Sequence, residues 1–471
     1  MSDSLSSALA ALSHGCDRVI ETSCATVVLK GERAYKLKKD VDYGFLDFTS
    51  PEKRAAALHR ELRYNQRLAA HIYLGVEEIG GESVLVMRRF DTDAVLSELA
   101  AREWSPEPEL LRALGRIIAT FHAGAEICRD AAHADNIGYV VETSRSNINL
   151  FRDKLGAEAA DAYDAAITAA YKALKPVLQA RFANGFVRHC HGDMHLGNIL
   201  IEDGTPVPFD CIEFNERLSQ IDVLYDLAFL LMDLWVRGQK AAANRVMNVW
   251  LEQAARLEDD AAQVYAGVAL LPLYMSVRAG VRCHVSAHQG DLDASRMYLK
   301  AAQAFLDMPL PGLSAVGGLS GSGKSTRARD MAPEAGRAPG AVVLRSDEVR
   351  KRLWACPELE ALPAEAYSAE ESLRVHDHMF DLASVCLGAG HSVVLDATFR
   401  DAVLRDEAEA VAGRAGVPFS GLWLDVAAAV RSARIGQRLN DVSDATQAIA
   451  EGQGDIDLDG MTWVTERTPA P

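Results

Sequence analysis

The chain has 471 residues, 49% of them hydrophobic and 24% charged, and a formal net charge of −17. That length exceeds one ordinary core and predicts two or three domains of soluble, globular type. The acidic balance excludes a broad nucleic-acid-binding surface, although a local basic pocket can still hold a nucleotide. The eight cysteines form no C-x-x-C pair, which argues against a zinc site or a disulfide framework and predicts a reducing, cytoplasmic setting. Met1 to Ser13 lacks a basic start and an apolar stretch, so no secretory signal is expected. The most apolar run, Val223 to Val236, carries Asp226 and Asp233; it is expected as a buried helix and not as a membrane span.

In chain order, Ala25 to Leu29 and Ala34 to Lys38 read as two short strands around the turn Lys30-Gly31-Glu32-Arg33. Pro51 to Ala70 follows as a helix, and Glu82 to Phe90 is strand-like again. From Pro106 to about Asp307 the pattern is mostly helical, broken by a strand-and-loop region at Phe186 to Phe214. Within that break, the segment His191 to Asn198 fits H-x-D-x-x-x-x-N. A phosphoryl acceptor hydroxyl needs a carboxylate beside it to orient it and take its proton, and Asp193 is that candidate. Asn198, five residues on, can turn back to hold Mg²⁺ from the same loop. His189, His191 and His195 lie close together in sequence, but the Asp and Asn spacing explains the segment better than zinc does, and His191 is read as a brace. Pro208 to Phe214 follows, with Asp210 ending an apolar run; Asp226 is expected to cap or brace the apolar helix.

Asp307-Met308-Pro309-Leu310-Pro311-Gly312 breaks helix and is read as a linker, dividing the chain into domains 1–307 and 313–471. Beyond it, strands at Leu313 to Val316, Ala341 to Leu344, Ser392 to Leu395 and Ser420 to Leu424 alternate with helices, which predicts a parallel sheet. Gly318-Leu319-Ser320-Gly321-Ser322-Gly323-Lys324-Ser325 fits G-x-x-x-x-G-K-[ST] at every fixed position. Its glycines let the backbone wrap phosphates, and the N–H groups of the loop and of the helix opening at Thr326 face the anion. Lys324 adds a mobile charge, and the Ser325 hydroxyl can coordinate Mg²⁺. Arg431, Arg434 and Arg438 fall on one helix face, where they either close over a triphosphate or form an ordinary basic surface. The tail from Glu451, acidic and then Thr/Pro-rich, is expected to be loosely ordered.

These motifs resemble the bacterial bifunctional proteins that join an aminoglycoside-phosphotransferase-like domain to a P-loop kinase-like ATP-binding domain. The resemblance spans roughly residues 20 to 450. It implies an α+β, two-lobed, kinase-like domain followed by an α/β P-loop domain, and an ATP/Mg²⁺-dependent phosphotransferase acting on a small molecule. It also implies residue roles. Asp210 would chelate the metal bridging the phosphates. Lys36 would contact phosphates, with Glu61 as its ion-pair partner, although Lys38 on the same strand face is an open alternative. Met87 to Phe90 would form the hinge past the adenine, although no glycine-rich loop covers the phosphates. In the second domain, Asp347 would orient or deprotonate the acceptor unless it merely caps a helix. Arg345 and Arg350 would grip an anionic part of it, and Asp396 would be the Walker-B-type carboxylate. Two alternatives stay open at this point: one domain is a nucleotide-sensing module, or the second is a zeta-toxin-like kinase of a nucleotide sugar. No membrane partner is expected, nucleic acid is disfavoured, and neither the acceptor nor the oligomeric state is legible.

Overall fold

The computed structural model describes residues 3–44, 46–102, 104–436, 442–444, 446 and 461–468. It divides into two compact units, Met1–Ser146 with Tyr171–Asp233, and Asn147–Ala170 with Leu234–Pro471. The linker expected at Asp307 to Gly312 lies inside the second unit.

The first unit begins with an antiparallel sheet of β1 (Arg18–Glu21), β2 (Ala25–Lys30), β3 (Arg33–Lys38), β4 (Tyr73–Ile79) and β5 (Glu82–Arg88), in the order β1-β2-β3-β5-β4. The β2–β3 hairpin turns at Gly31, whose φ of 58° is cheap only without a Cβ. Helix Pro51–Ala69 starts where Ser50 accepts a hydrogen bond from the Lys53 amide and Pro51 fills the first turn. Its buried positions Arg54, Ala57, Leu58, Glu61, Tyr64 and Asn65 recur at helical spacing, so the packing that buries Leu58 also turns Glu61 inward. Beyond this lobe, β7 (Ile199–Glu202) and β8 (Thr205–Pro208) form a hairpin that flanks the His191–Asn198 loop on its C-terminal side. Strand β6 (Val187–His189) pairs with β9 (Gln220–Asp222), which runs into helix Val223–Val236. That helix is buried within protein, as its run of apolar residues predicts.

The second unit holds a five-stranded sheet in which every neighbouring pair is parallel: β11 (Val342–Arg345), β12 (Val393–Asp396), β10 (Leu313–Gly318), β13 (Phe419–Val426) and β14 (Val464–Thr468). Strands β10 to β13 match the expected alternation with helices. Strand β14 corrects the expectation of a loose tail: Val464–Thr468 pairs with Leu422–Val426, and Trp463 packs against Phe399 and Phe419. Its polar sequence suits an edge strand with little buried surface. Residues 451–460 of that tail lie outside the described residues. The same unit carries helices Lys240–Leu257, Leu271–His288 and Leu292–Phe305. The stretch Ala261–His288 is long and apolar enough to cross a membrane, but 83% of its apolar window is buried in the fold, as in a core helix.

Candidate active sites

In the first unit, the inward face of β3 meets the inward face of helix Pro51–Ala69. Lys36 Nζ lies 2.6 Å from Glu61 Oε1 and 3.0 Å from Asp210 Oδ1. Lys38, two residues on and 1% exposed, lies 2.6 Å from Glu61 Oε2 and 2.5 Å from Glu213 Oε1. One buried carboxylate therefore serves both lysines, while Lys36 alone reaches Asp210. Burial works against the Lys36 charge, yet Asp210 and Glu61 outweigh it and hold the ammonium well above its ordinary range. Burial likewise opposes ionisation of Glu61, and Lys36 and Lys38 overcome it, keeping the carboxyl charged.

Asp210 takes φ 63°, its amide donates to the Tyr73 hydroxyl at 3.1 Å, and its side chain is 43% exposed. His191 ties it to the neighbouring loop. The ring Nε2 donates to the Phe209 carbonyl at 2.8 Å, while Nδ1 accepts from the Asp193 amide at 3.2 Å. Burial pushes the His191 pKa down, which suits a neutral ring making one donation and one acceptance. Asn198 Nδ2 donates to Asp193 Oδ2 at 2.9 Å, so the two polar ends of the motif meet. His195 Nδ1 accepts from the Gly197 amide, leaving the proton on Nε2, which lies 3.5 Å from Asp193 Oδ2. Helix Val223–Val236 fixes the loop from below. Asp226 accepts from the amides of His191 at 3.0 Å and Gly192 at 2.9 Å and lies 3.0 Å from His122 Nε2; Asp233 accepts from the Leu196 amide at 3.2 Å. A cavity of about 630 Å³ opens where β5 ends, walled by Ile20, Leu29, Phe90, Ala94 and Leu200. Its lining stops short of Lys36; Leu29, which lines it, pairs with Ala34, two residues before Lys36 on β3.

In the second unit, β10 runs through the glycine loop into helix Lys324–Met331. Gly321 (φ 84°) leaves no room for a side chain, since a Cβ would stand 2.6 Å from the Arg431 carbonyl oxygen. Lys324 Nζ donates to the Leu319 carbonyl at 3.1 Å across the loop. Arg431 donates to the carbonyls of Val426 and Ser320, and Arg434 to that of Ser322 at 3.1 Å. Both arginines thus grip the loop backbone, which a solvated basic face would not do; Arg438 lies outside the described residues. Ser325 and Asp396 converge on one guanidinium: Arg345 donates to Ser325 Oγ and to Asp396 Oδ2, each at 3.1 Å, and to Glu348 Oε1 at 2.9 Å. Asp347 stands half-buried in the first turn of helix Ser346–Leu353. The cap position belongs to Arg345 and carries no side-chain cap bond, so Asp347 is not the N-cap. Arg350 donates to the Ala366 carbonyl and stacks on Tyr367 at 4.9 Å. With Arg345 and Arg350 committed to protein partners, neither is poised as the expected grip on an anionic acceptor.

The profile of the family described as "Phosphotransferase enzyme family" matches residues 29–271, half of the chain. The chain belongs to the phosphotransferase enzyme family. A second profile, "AAA domain", matches residues 313–454 of this phosphotransferase. Uncharacterized proteins of Mycobacterium tuberculosis (strain H37Rv) and Mycobacterium bovis are 31% identical to it over 452 residues, covering 92% of this chain and 88% of theirs. Among solved structures, the GDP complex of aminoglycoside 2′-phosphotransferase-IIIa aligns at 13% identity over 64% of this chain and 97% of its own, with TM-score 0.36. A Plasmodium vivax ethanolamine kinase aligns at 10% identity over 61% and 81%, with TM-score 0.39. A gluconokinase from Sinorhizobium meliloti aligns at 19% identity over 34% and 85%, with TM-score 0.24. By its family the chain is a phosphotransferase, an enzyme of phosphoryl transfer.

Of the residues singled out in the sequence of the phosphotransferase, the structure brings together Lys36, Glu61 and Asp210, and likewise Asp193 and Asn198. It also gathers Ser325 and Asp396 at Arg345, and sets Arg434 on the glycine loop. Sequence reasoning passed over Tyr73, His122, Asp233 and the Lys38–Glu213 pair. Two carboxylates seven residues apart in an otherwise apolar helix were the available signal for Asp233. Asp444, to which the sequence assigned no chemistry, anchors three groups: Lys351 Nζ at 2.8 Å, the Leu362 amide at 3.0 Å and the Tyr367 hydroxyl at 2.6 Å.

Proposed function

We propose that the enzyme carries two Mg²⁺/ATP-dependent phosphotransferase sites, in catalytic modules 1–307 and 313–471, each acting on a hydroxyl of a small-molecule acceptor. The reading rests on one observation above the others: Lys36 is held between Glu61 and Asp210, beside a loop in which Asp193 and Asn198 touch. Asp193 orients the acceptor hydroxyl and takes its proton as the new oxygen–phosphorus bond forms and the bond from the γ-phosphorus to the bridging oxygen breaks. Lys36 neutralises phosphate charge, and Glu61 keeps it protonated and aimed. Asp210 and Asn198 suit a hard divalent ion, because both are oxygen donors and the Asp210 carboxylate is open to solvent. Magnesium bound there supplies charge neutralisation across the phosphates. In the second module the loop amides of Gly318 to Ser325, with Lys324, Thr326, Arg434 and Arg438, hold the phosphates. Ser325 and Asp396 are the metal side, and Asp347 orients the acceptor.

The test is phosphate transfer from ATP to a panel of small alcohols by the full chain, by Asp193→Ala and by Asp347→Ala. Each substitution should abolish phosphorylation of one acceptor set and spare the other. If neither variant changes nucleotide turnover, the assignment is wrong. The bridge from Arg345 to both Ser325 and Asp396 favours a second reading, in which the P-loop module binds ATP as a sensor. Tight ATP binding with no acceptor-dependent ADP release from that module would select it.

A further inference from the structure

Strand β11 is the edge of the parallel sheet, and it leads directly into the helix that carries Asp347. An edge strand presents unpaired amides and carbonyls, which must be covered or solvated. Here helix Lys240–Leu257 covers them with side chains. Asn244, Asn248, Glu252 and Arg256 recur every four residues, so they form one row along the helix. Asn244 Nδ2 donates to the carbonyls of Pro339 at 3.0 Å and Ala341 at 2.9 Å. Asn248 accepts from the Val343 amide at 2.7 Å and donates to the Ala341 carbonyl at 3.2 Å. The two carboxamides thus act as the missing neighbouring strand. The row continues onto helix Ser346–Leu353. Glu252 pairs with Arg352 and, at 3.1 Å, with Arg256, and Arg256 donates to the carbonyls of Glu348 at 3.2 Å and Cys356 at 3.0 Å.

We infer that this row positions the acceptor side of the second site. It clamps β11 and the helix after it at both ends, so Asp347, one residue before Glu348, is set by groups lying more than ninety residues upstream in the chain. The inference rests on the reading of Asp347 as the residue that orients the acceptor. Asn244, Asn248, Glu252 and Arg256 are positioning residues and touch no substrate.

The experiment uses the full chain with Asn248→Ala and, separately, Glu252→Gln, which keeps size and removes charge. Amide hydrogen exchange is read at Val343 and over 346–350, and ATP turnover is read as the part lost on Lys324→Ala. Removing one buried partner should speed Val343 exchange about 10-fold in Asn248→Ala. Lys324-dependent kcat should fall about 10-fold in both variants, with KM for ATP within about 2-fold of wild type, because the nucleotide loop is untouched. Unchanged exchange, or faster exchange with unchanged kcat, overturns the inference. If the wild-type chain has no Lys324-dependent turnover, the reading of the second site falls first, and the inference falls with it.

Discussion

Lys36 and Lys38 both pair with Glu61, and removing them one at a time separates a structural lysine from a phosphate-binding one. Lys38→Met takes from Glu213, a buried carboxylate, the ammonium group it pairs with. Breaking a buried pair on one side costs roughly 3–5 kcal/mol, because the orphaned charge must stay desolvated or take up a proton. Lys36→Met is different. Glu61 keeps Lys38 at 2.6 Å, and Asp210 is 43% exposed and can turn to water. With Asp210 resolvated, its cost should be about 1.5–3 kcal/mol, the scale of the one buried charged hydrogen bond lost at Glu61. Activity should move the other way: Lys36→Met abolishes Asp193-dependent turnover, while Lys38→Met keeps turnover in the folded fraction. Urea unfolding followed by circular dichroism, with ATP turnover measured in parallel, reads both. A stable, inactive Lys38→Met together with an active Lys36→Met would refute the assignment of Lys36 to the phosphates.

Three further outcomes are expected. Asp226→Asn weakens three hydrogen bonds to the catalytic loop and its support, and should lower Asp193-dependent kcat about 10- to 100-fold while the chain stays folded, checked by steady-state kinetics and circular dichroism. Gly321→Ala should abolish ATP binding by the P-loop, read by titration of a fluorescent ATP analogue in a Lys36→Met background, and leave Asp193-dependent turnover intact in the otherwise unaltered chain; the φ of 84° and the Arg431 carbonyl leave the new methyl no place. His391 is fully buried, and burial, with Arg337 nearby, pulls its pKa down to about 3. The unfolded chain therefore binds the extra proton first as pH falls. Stability is complete above the unfolded value and declines between about pH 6.5 and pH 3, with about 2 kcal/mol lost by pH 5. His391→Phe should flatten the slope of unfolding free energy across that window in urea titrations.

Both motifs read as phosphate-handling were legible because their patterns are local: eight consecutive residues fix the spacing from His191 to Asn198, and eight more fix the glycine loop. The parallel sheet was legible for the same reason, as four apolar runs each end at a turn. What could not be read depends on distant partners. Lys36 and Lys38 share a strand face, and only the approach of Asp210, 174 residues on, tells them apart. Arg345 and Arg350 look like free cations until Asp396, Glu348 and the Ala366 carbonyl occupy them. Strand Val464–Thr468 has too little apolar character to announce itself, because it lies at a sheet edge. The row from Asn244 to Arg256 reads as a solvated helix face, and only the exposed edge of β11 turns it inward.

The shared carboxylate of Glu61 has a bearing on control. Kinase-like enzymes can be silenced by swinging the helix that bears this glutamate away from the sheet. Here such a swing breaks two buried ion pairs at once, leaving Lys36 with Asp210 and Lys38 with Glu213. Two charged hydrogen bonds of about 2 kcal/mol each would put the rotated form near one molecule in a thousand. The paired lysines thus bias the small lobe toward the arrangement in which Lys36 meets both Glu61 and Asp210.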